Sequence, residues 1–466
     1  MRNIFQQHKE KVAAGPRPSR NFRNVAATQA DEDSYDYVKH RKDVKLTSVF
    51  GSVAHLVKGA LGGGILSGHV AYMKAGVGIA IPLNVIFGIY MAYCLHLLVQ
   101  SAQILYRRTR IPSMSYSDVG EAAFMTCKFE NIRKLSTAFR YTVDSIICLD
   151  LFGCCCCYQI IIAKQLKQLV ENTQDTSFLG SSPGYPSLRV YLAIMIPVVV
   201  CICLIRHLKY LAPFSIAANV VIVFCIALSI YYCFHLNPTF QGMIISTTPY
   251  NTFEFIGMSV FSMSCAGVVI AIENNMREPQ KFPEALAIGM ALIVVCTFLV
   301  SFFGYAAFLE RSESPITINF PMTLVPKLLK GSIAVMIYVT HALNFWVPFN
   351  LCFYYLKQRH PIEKRDQWEL LYRAILVVAI GIVAIVFPNI NAIMGFLGTF
   401  CLSNMAFIWP NVINLLVIWE RPGLGHMNWR MWRAIILIVI GIFVFICGSL
   451  VNTMELVSVF IDTNIN

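Results

Sequence analysis

The sequence predicts an all-α polytopic membrane protein of eleven transmembrane helices, built as a five-helix inverted repeat with helices 1 and 6 broken. Three observations carry this reading. Of 466 residues, 57% are hydrophobic and 13% charged, with mean hydropathy +0.61, the composition of a chain that spends most of its length in lipid. The apolar residues fall in runs near or beyond the ~20 that a helix needs to cross the hydrocarbon core. The first run is also interrupted by Lys58-Gly59-Ala60-Leu61-Gly62-Gly63-Gly64, between His55 and His69.

Residues 1–45 are polar and basic, with scattered Pro, Gly and Asn, and read as a disordered cytoplasmic tail. The tail holds an acidic cluster, Asp31-Glu32-Asp33, and then Tyr35-Asp36-Tyr37-Val38, which has the tyrosine-x-x-hydrophobic shape of an endosomal sorting signal. No cleavable signal peptide is visible, so the first span is expected to be its own targeting signal. Residues 46–466 form the transmembrane domain. Its spans are predicted near 49–73, 77–105, 139–166, 188–205, 211–236, 254–276, 285–309, 331–356, 371–387, 390–418 and 431–453, the ninth being the shortest.

Orientation follows from the basic residues. They collect in alternate connections: Arg107, Arg108, Arg110, Lys128, Arg133 and Lys134; Arg206 and Lys209; Arg277 and Lys281; Lys357, Arg359, Lys364 and Arg365; Arg421, Arg430 and Arg433. The loops 169–187 and 237–253 are nearly free of them. A cytoplasmic N-terminus and an outer C-terminus are expected. Because the net charge of +12 sits in these short loops, it does not point to nucleic acid. The 16 cysteines lie almost entirely within spans and read as reduced, buried thiols. No Asn-x-Ser/Thr acceptor has x other than Pro, which excludes heavy N-glycosylation.

A continuous helix through Gly62, Gly63 and Gly64 would give up roughly 1 kcal/mol per glycine relative to alanine. A break there bares backbone N–H and C=O groups, tolerated in a membrane only where protein or a polar cavity meets them. A Gly-interrupted span points to a transporter's substrate site. The alternative is a glycine seam for close packing, although three consecutive glycines exceed what small-xxx-small spacing needs. The inverted repeat then requires a second break in span 6. There Ser262, Ser264, Cys265, Ala266 and Gly267 are small or polar, which suits unwinding and would also suit tight packing.

Ionisable residues inside spans are candidates by default. Glu273 lies late in span 6 and Lys58 in span 1; an ion pair between them, or Lys58 snorkelling to the interface, is the plain structural reading. His55, one turn before Lys58, has an ordinary pKa near 6.5 and could handle a proton or simply bond a neighbouring helix. His341 with Asn344 in span 8 is open to the same two readings. Cys154 to Cys157 point in different directions around a helix and cannot converge on one metal ion. Beside them, Tyr158 could face a central cavity or pack in the core. No nucleotide-binding loop, zinc-protease helix or Ser-His-Asp pattern with usable context supports an enzyme.

His55-Leu-Val-Lys58-Gly59-Ala-Leu-Gly62-Gly-Gly64-Ile-Leu resembles the first-helix signature of the proton-coupled amino acid transporters of the amino acid/auxin permease group. The likeness continues through Ala75-Gly76, Cys94-Leu-His96-Leu-Leu-Val99, Tyr116-Ser117-Asp118, Leu208-Lys209-Tyr210-Leu211-Ala212-Pro213-Phe214-Ser215, Gly267-Val268-Val269 and Glu273-Asn274-Asn275-Met276. The resemblance implies eleven helices in the LeuT-type inverted-repeat fold, carrying small neutral amino acids, often with a proton. The chain departs from the family pattern at Ala60 to Gly64, where the family has Asn-x-Gly-Thr-Gly. His69 stands for a proline, Ser264 and Cys265 for an acidic residue and a glycine, and Ala271 for a proline. Lys164 stands for an acidic residue late in helix 3, and the outer loops lack the disulfide cysteines of relatives.

On that resemblance the function is secondary active transport of small neutral amino acids, as a proton-coupled symport with no cofactor beyond the coupling proton. The substrate carboxylate would rest on N–H groups of Gly62, Gly63 and Gly64, helped by the positive end of the outer half-helix. Its ammonium would meet carbonyls around Ser264, Cys265 and Gly267, with Ser67 and Tyr158 completing the site and His55 and Glu273 handling the proton. The expected partners are small neutral amino acids and the lipid bilayer, with no nucleic acid; the expected location is the plasma membrane and/or the lysosomal (vacuolar) membrane. Rivals are an amino acid sensor with little net flux and an uncoupled facilitator. An ion channel would need a continuous polar stripe, which the scattered polar residues do not supply.

Overall fold

The computed structural model describes residues 32, 34–41, 46–60, 62–173, 185–206, 212–235 and 240–465. Most of the predicted tail, and Leu61 within the first break, lie outside the described residues. The described chain is helical throughout, apart from loops and one isolated bridge between Thr47 and Met276. In order, the helices are α1 (Val49–Ala60), α2 (Gly68–Ala75), α3 (Val77–Thr109), α4 (Tyr116–Met125), α5 (Ser136–Glu171), α6 (Leu188–Cys203) and α7 (Ala212–His235). There follow α8 (Pro249–Met263), α9 (Val269–Asn274), α10 (Phe282–Phe308), α11 (Leu324–Leu356), α12 (Arg365–Val386), α13 (Ile390–Phe396), α14 (Trp409–Ile418) and α15 (Trp429–Ile465).

Helix occupies every one of the eleven predicted ranges. Among the described residues seven stretches are long and apolar enough to cross a membrane, and α1 with the turn Ile65–Ser67 and α2 makes an eighth, bent by 48°. This is an integral membrane protein. Sequence signals set several of the ends. Ser115 and Asp118 form a reciprocal capping box at the start of α4, and Thr248 Oγ1 accepts the N–H of Asn251 ahead of Pro249 at the start of α8. Between α2 and α3 the chain turns at Gly76 with φ +81°, where a Cβ would also lie 2.8 Å from the carbonyl carbon of Ile245. Only glycine fits there.

The broken helices sit inside the bundle. The α1–α2 pair packs against α10 and α8, while α5 lies along α11 and reaches α13 and the segment after it. Between α13 and α14 the backbone widens into π-helix over Leu397–Leu402 and Asn404–Ile408. The end of α13 and this widened stretch meet α8 closely at glycines: a Cβ on Gly398 would run into the Gly257 carbonyl, and one on Gly257 into the Gly395 carbonyl. π-Helical turns recur at functional sites. Here the turn lets two backbones touch beside the break.

Gly398→Ala should overpack this contact and cost about 1–3 kcal/mol, seen as a lower melting temperature in detergent. Gly331→Ala, where nothing lies within 4 Å, should be neutral or slightly stabilising. Equal melting temperatures for the two variants would contradict a backbone contact at Gly398.

Candidate functional site

The first break brings together most of what the sequence singled out in helix 1. Gly63 faces α5, where a Cβ would lie 3.1 Å from Tyr158 Cε1 and 3.3 Å from Ile161 Cδ1. Gly64 faces α8, 2.9 Å by the same measure from the Ser262 Cα, and its carbonyl accepts from Ser262 Oγ at 3.0 Å. Tyr158 takes its hydroxyl hydrogen bond from Asn344 Nδ2 at 3.1 Å. Asn344 and Ser262 therefore belong to the site. Their signal in the sequence was only that they are polar within spans.

The backbone inventory corrects one expected donor. The N–H of Gly62 bonds the Ala60 carbonyl at 2.8 Å and is spent within the turn. No described residue accepts from the N–H of Gly63 or Gly64, which makes these two the candidate donors. Ser67 is buried, and its hydroxyl has no hydrogen-bond partner among the described residues.

Helix 6 is broken where the repeat requires it. Ser264 is extended at φ −74°, ψ 127°, and the chain re-enters helix at Val269. Cys265 leaves the candidate site on two counts. Its carbonyl accepts from the N–H groups of Val268 and Val269 at 3.1 Å each, and its buried thiol points at Met290 Sδ in α10, 3.7 Å away. The carbonyls of Ser264, Ala266 and Gly267 accept no hydrogen bond from the described residues. Two donors on one break thus stand against three acceptors on the other.

The two sides of the breaks differ. One is covered by the segment 312–320, whose Ile316, Thr317 and Ile318 are buried. His69 Nε2 bonds the Glu313 carbonyl at 3.0 Å, and Lys164 Nζ bonds the Ser314 carbonyl at 2.9 Å. Gln168 holds the Ile318 carbonyl at 3.2 Å. Two of the departures from the family pattern, His69 and Lys164, thus meet on the same cover. On the other side Gly267 is exposed, and a Cβ added there would meet Met405 Cε at 4.0 Å. The void beside Gly62, lined by Ile65, Leu66, Cys225, Ile333 and Met336, measures about 10 Å³. That is space for about one water. A larger ligand requires the helices to part.

Residues 45–454 match the family model described as transmembrane amino acid transporter protein. The chain belongs to this family. It is 30% identical over 422 residues to the proton-coupled amino acid transporter-like protein pathetic of Drosophila melanogaster, covering 88% of this chain and 85% of that one. It is 26% identical over 431 residues to the amino acid transporter AVT3C of Arabidopsis thaliana, covering 90% and 93%. Among solved structures it is similar to Mhp1, a nucleobase-cation-symport-1 family transporter in a closed conformation with bromovinylhydantoin bound, at TM-score 0.45 and 11% identity over 90% of this chain and 93% of that one. This chain is accordingly a transporter, not an enzyme, and carries amino acids across a membrane.

In this amino acid transporter the two residues expected to handle the proton are not brought together. His55 is exposed on α1. Glu273 on α9 is fully buried, and its carboxylate is held by Arg41, with Nη2 at 3.1 and 2.9 Å from its two oxygens, and by Gln103 Nε2 at 3.2 Å. Arg41 also reaches the carbonyls of Glu273 and Pro112 and lies over the rings of Tyr37 and Tyr106. Glu273 is thus a structural anchor, and its partner comes from the tail and not from Lys58, which is exposed. The described part of that tail, residues 32 and 34–41, is docked: Glu32 and Tyr37 are each 2% exposed, and Tyr35 and Val38 pack against the core. The tyrosine motif is covered in this conformation.

Breaking one partner of a buried pair costs about 3–5 kcal/mol, since the other charge is left without compensation. Arg41→Ala should therefore lower the melting temperature sharply, and Arg41→Ala combined with Glu273→Gln should recover much of the loss. A double variant no more stable than the single one would show that the charge pair is not what holds α9.

Proposed function

We propose that this amino acid transporter is a proton-coupled symporter of small neutral amino acids. The observation that carries the reading is the opposed chemistry of the two breaks: among the described residues, the N–H groups of Gly63 and Gly64 have no acceptor and the carbonyls of Ser264, Ala266 and Gly267 have no donor. An α-amino acid carries its carboxylate and ammonium on one carbon. A donor break facing an acceptor break suits that head group, with the half-helix end favouring the carboxylate. Tyr158 and Ile161 close on Gly63 and support a small side chain. Proton coupling is supported by the printed name of the Drosophila relative. The distribution of Lys and Arg supports a cytoplasmic N-terminus.

A second reading is supported by the docked tail. Because Arg41 grips α9, the half-helix that follows the acceptor break, a change in the site could move the tail and report occupancy, as a sensor would. Reconstituted protein separates the two, since a sensor binds labelled amino acid without net flux.

In proteoliposomes, uptake of labelled small neutral amino acids should rise under an inward proton gradient. Unlabelled free acids should compete and their methyl esters should compete at least tenfold less well, because the ester has lost the charge that faces Gly63 and Gly64. Equal competition by acid and ester would remove the carboxylate assignment.

A further inference from the structure

We propose that Asp150 on α5 is the binding site of the coupling proton. The inference rests on the symport reading above. The carboxylates of Glu121, Glu171, Glu254 and Glu273 are each paired with a lysine or arginine. Asp150 is partly buried, its Oδ1 is fully enclosed, and among the described residues it holds neither a cation nor a hydrogen bond. An isolated carboxylate within a membrane protein costs several kcal/mol unless its charge is met. Such a group is kept for a function or lost.

Its position ties it to the transport site. Asp150, Cys154, Cys157, Tyr158 and Ile161 recur at i, i+4, i+7, i+8 and i+11, which is one face of a helix. That face ends on the first break, where Tyr158 and Ile161 close on Gly63. Asp150 lies about 12 Å further along the axis, away from the 312–320 cover that Lys164 and Gln168 hold at the other end of α5. The π-helical segment faces it: Leu397 packs on Gly153, and Cys401 stands within electrostatic reach of Asp150. Met405, one turn beyond Cys401, is the residue that a Cβ on exposed Gly267 would meet, at 4.0 Å. Asp150 therefore sits on the same side of the breaks as the exposed edge of helix 6.

The surroundings select the cation. The titratable groups near Asp150 are thiols, Cys154 and Cys157 on its own helix and Cys401 on the π-helical segment. From α11, Cys352 faces Cys148, and Tyr355 bonds Asp144; from α4, Asp118 and Glu121 are held by Arg140. His341 of α11 is engaged with Gln159 and with Cys203 of α6, and Arg373 of α12 with Glu369 and the Cys203 carbonyl. No group of three His, Cys, Asp or Glu among the described residues could hold a metal ion. Sodium needs several oxygens at once; a proton needs one. The step is a single transfer: a hydronium gives its proton to a carboxylate oxygen of Asp150, leaving water. The O–H bond breaks back to water when that side of the bundle is hydrated. Neutral Asp150 allows α5 to close over the loaded site, and ionised Asp150 favours the hydrated, open arrangement.

The test is Asp150→Asn in proteoliposomes, with tracer exchange at equal pH as the measure of folding and substrate binding. The variant should keep exchange, lose the stimulation by an inward proton gradient that the wild type shows, and lose substrate-evoked proton uptake read by an internal pH dye. Sodium replacement should change neither protein; a sodium requirement removed by Asp150→Asn would overturn the choice of cation. A wild type that transports without gradient dependence would overturn the symport reading itself. A gradient-dependent wild type with an equally dependent Asp150→Asn would overturn the assignment to Asp150 alone. Should Asp150→Asn lose exchange as well, Asp150→Glu decides: restored exchange with a shifted midpoint of acid stimulation supports the site, and an unshifted midpoint removes it.

Discussion

A backbone polar group in lipid must find a partner, and this constraint organises the molecule. Wherever the helices are whole, the i→i−4 ladder meets it. At Gly62–Gly64 and Ser264–Gly267 it does not, so the two breaks must face protein or ligand and cannot face hydrocarbon. They are placed within the bundle accordingly, with α5 and α8 packed on one and α10 behind the other. Part of the freed backbone is met internally, by the Gly62–Ala60 turn, by Ser262 on Gly64, and by the Cys265 carbonyl with Val268 and Val269. What remains over is the chemistry available to a substrate.

The same breaks make the structure divisible. The half-helix after each break is fastened: α2 at its start through His69 to the Glu313 carbonyl, and α9 at its end through Glu273 to Arg41. Glycine contacts at Gly257, Gly395 and Gly398 bring α8 against the end of α13 and the π-helical segment. Close backbone packing through small residues is the usual means by which membrane helices associate without a hydrophobic drive between them.

Much of this was legible in the amino acid order. Three consecutive glycines in an apolar run have few uses in lipid, so the first break could be read directly, and the repeat then placed the second. Tyr158 was found because it is polar within a span, and it does close on Gly63. Other parts lay beyond local reading. That the Gly62 N–H is spent, or that Cys265 turns towards Met290, depends on turn geometry and rotamer. The partner of Glu273 is 232 positions away in sequence, in a polar tail that composition marks as disordered. His69 and Lys164 looked like lost family features; in space they share one neighbouring segment. Pairings of this separation are set by the fold as a whole and leave no periodic trace.

The central claim is that the two breaks together form the amino acid site. It is tested most directly by an experimental structure of the purified transporter with a transported amino acid bound. The account predicts the carboxylate within hydrogen-bond distance of the Gly63 and Gly64 N–H groups, and the ammonium against the carbonyls of Ser264, Ala266 or Gly267. Density for the amino acid at any position out of reach of both breaks would contradict it.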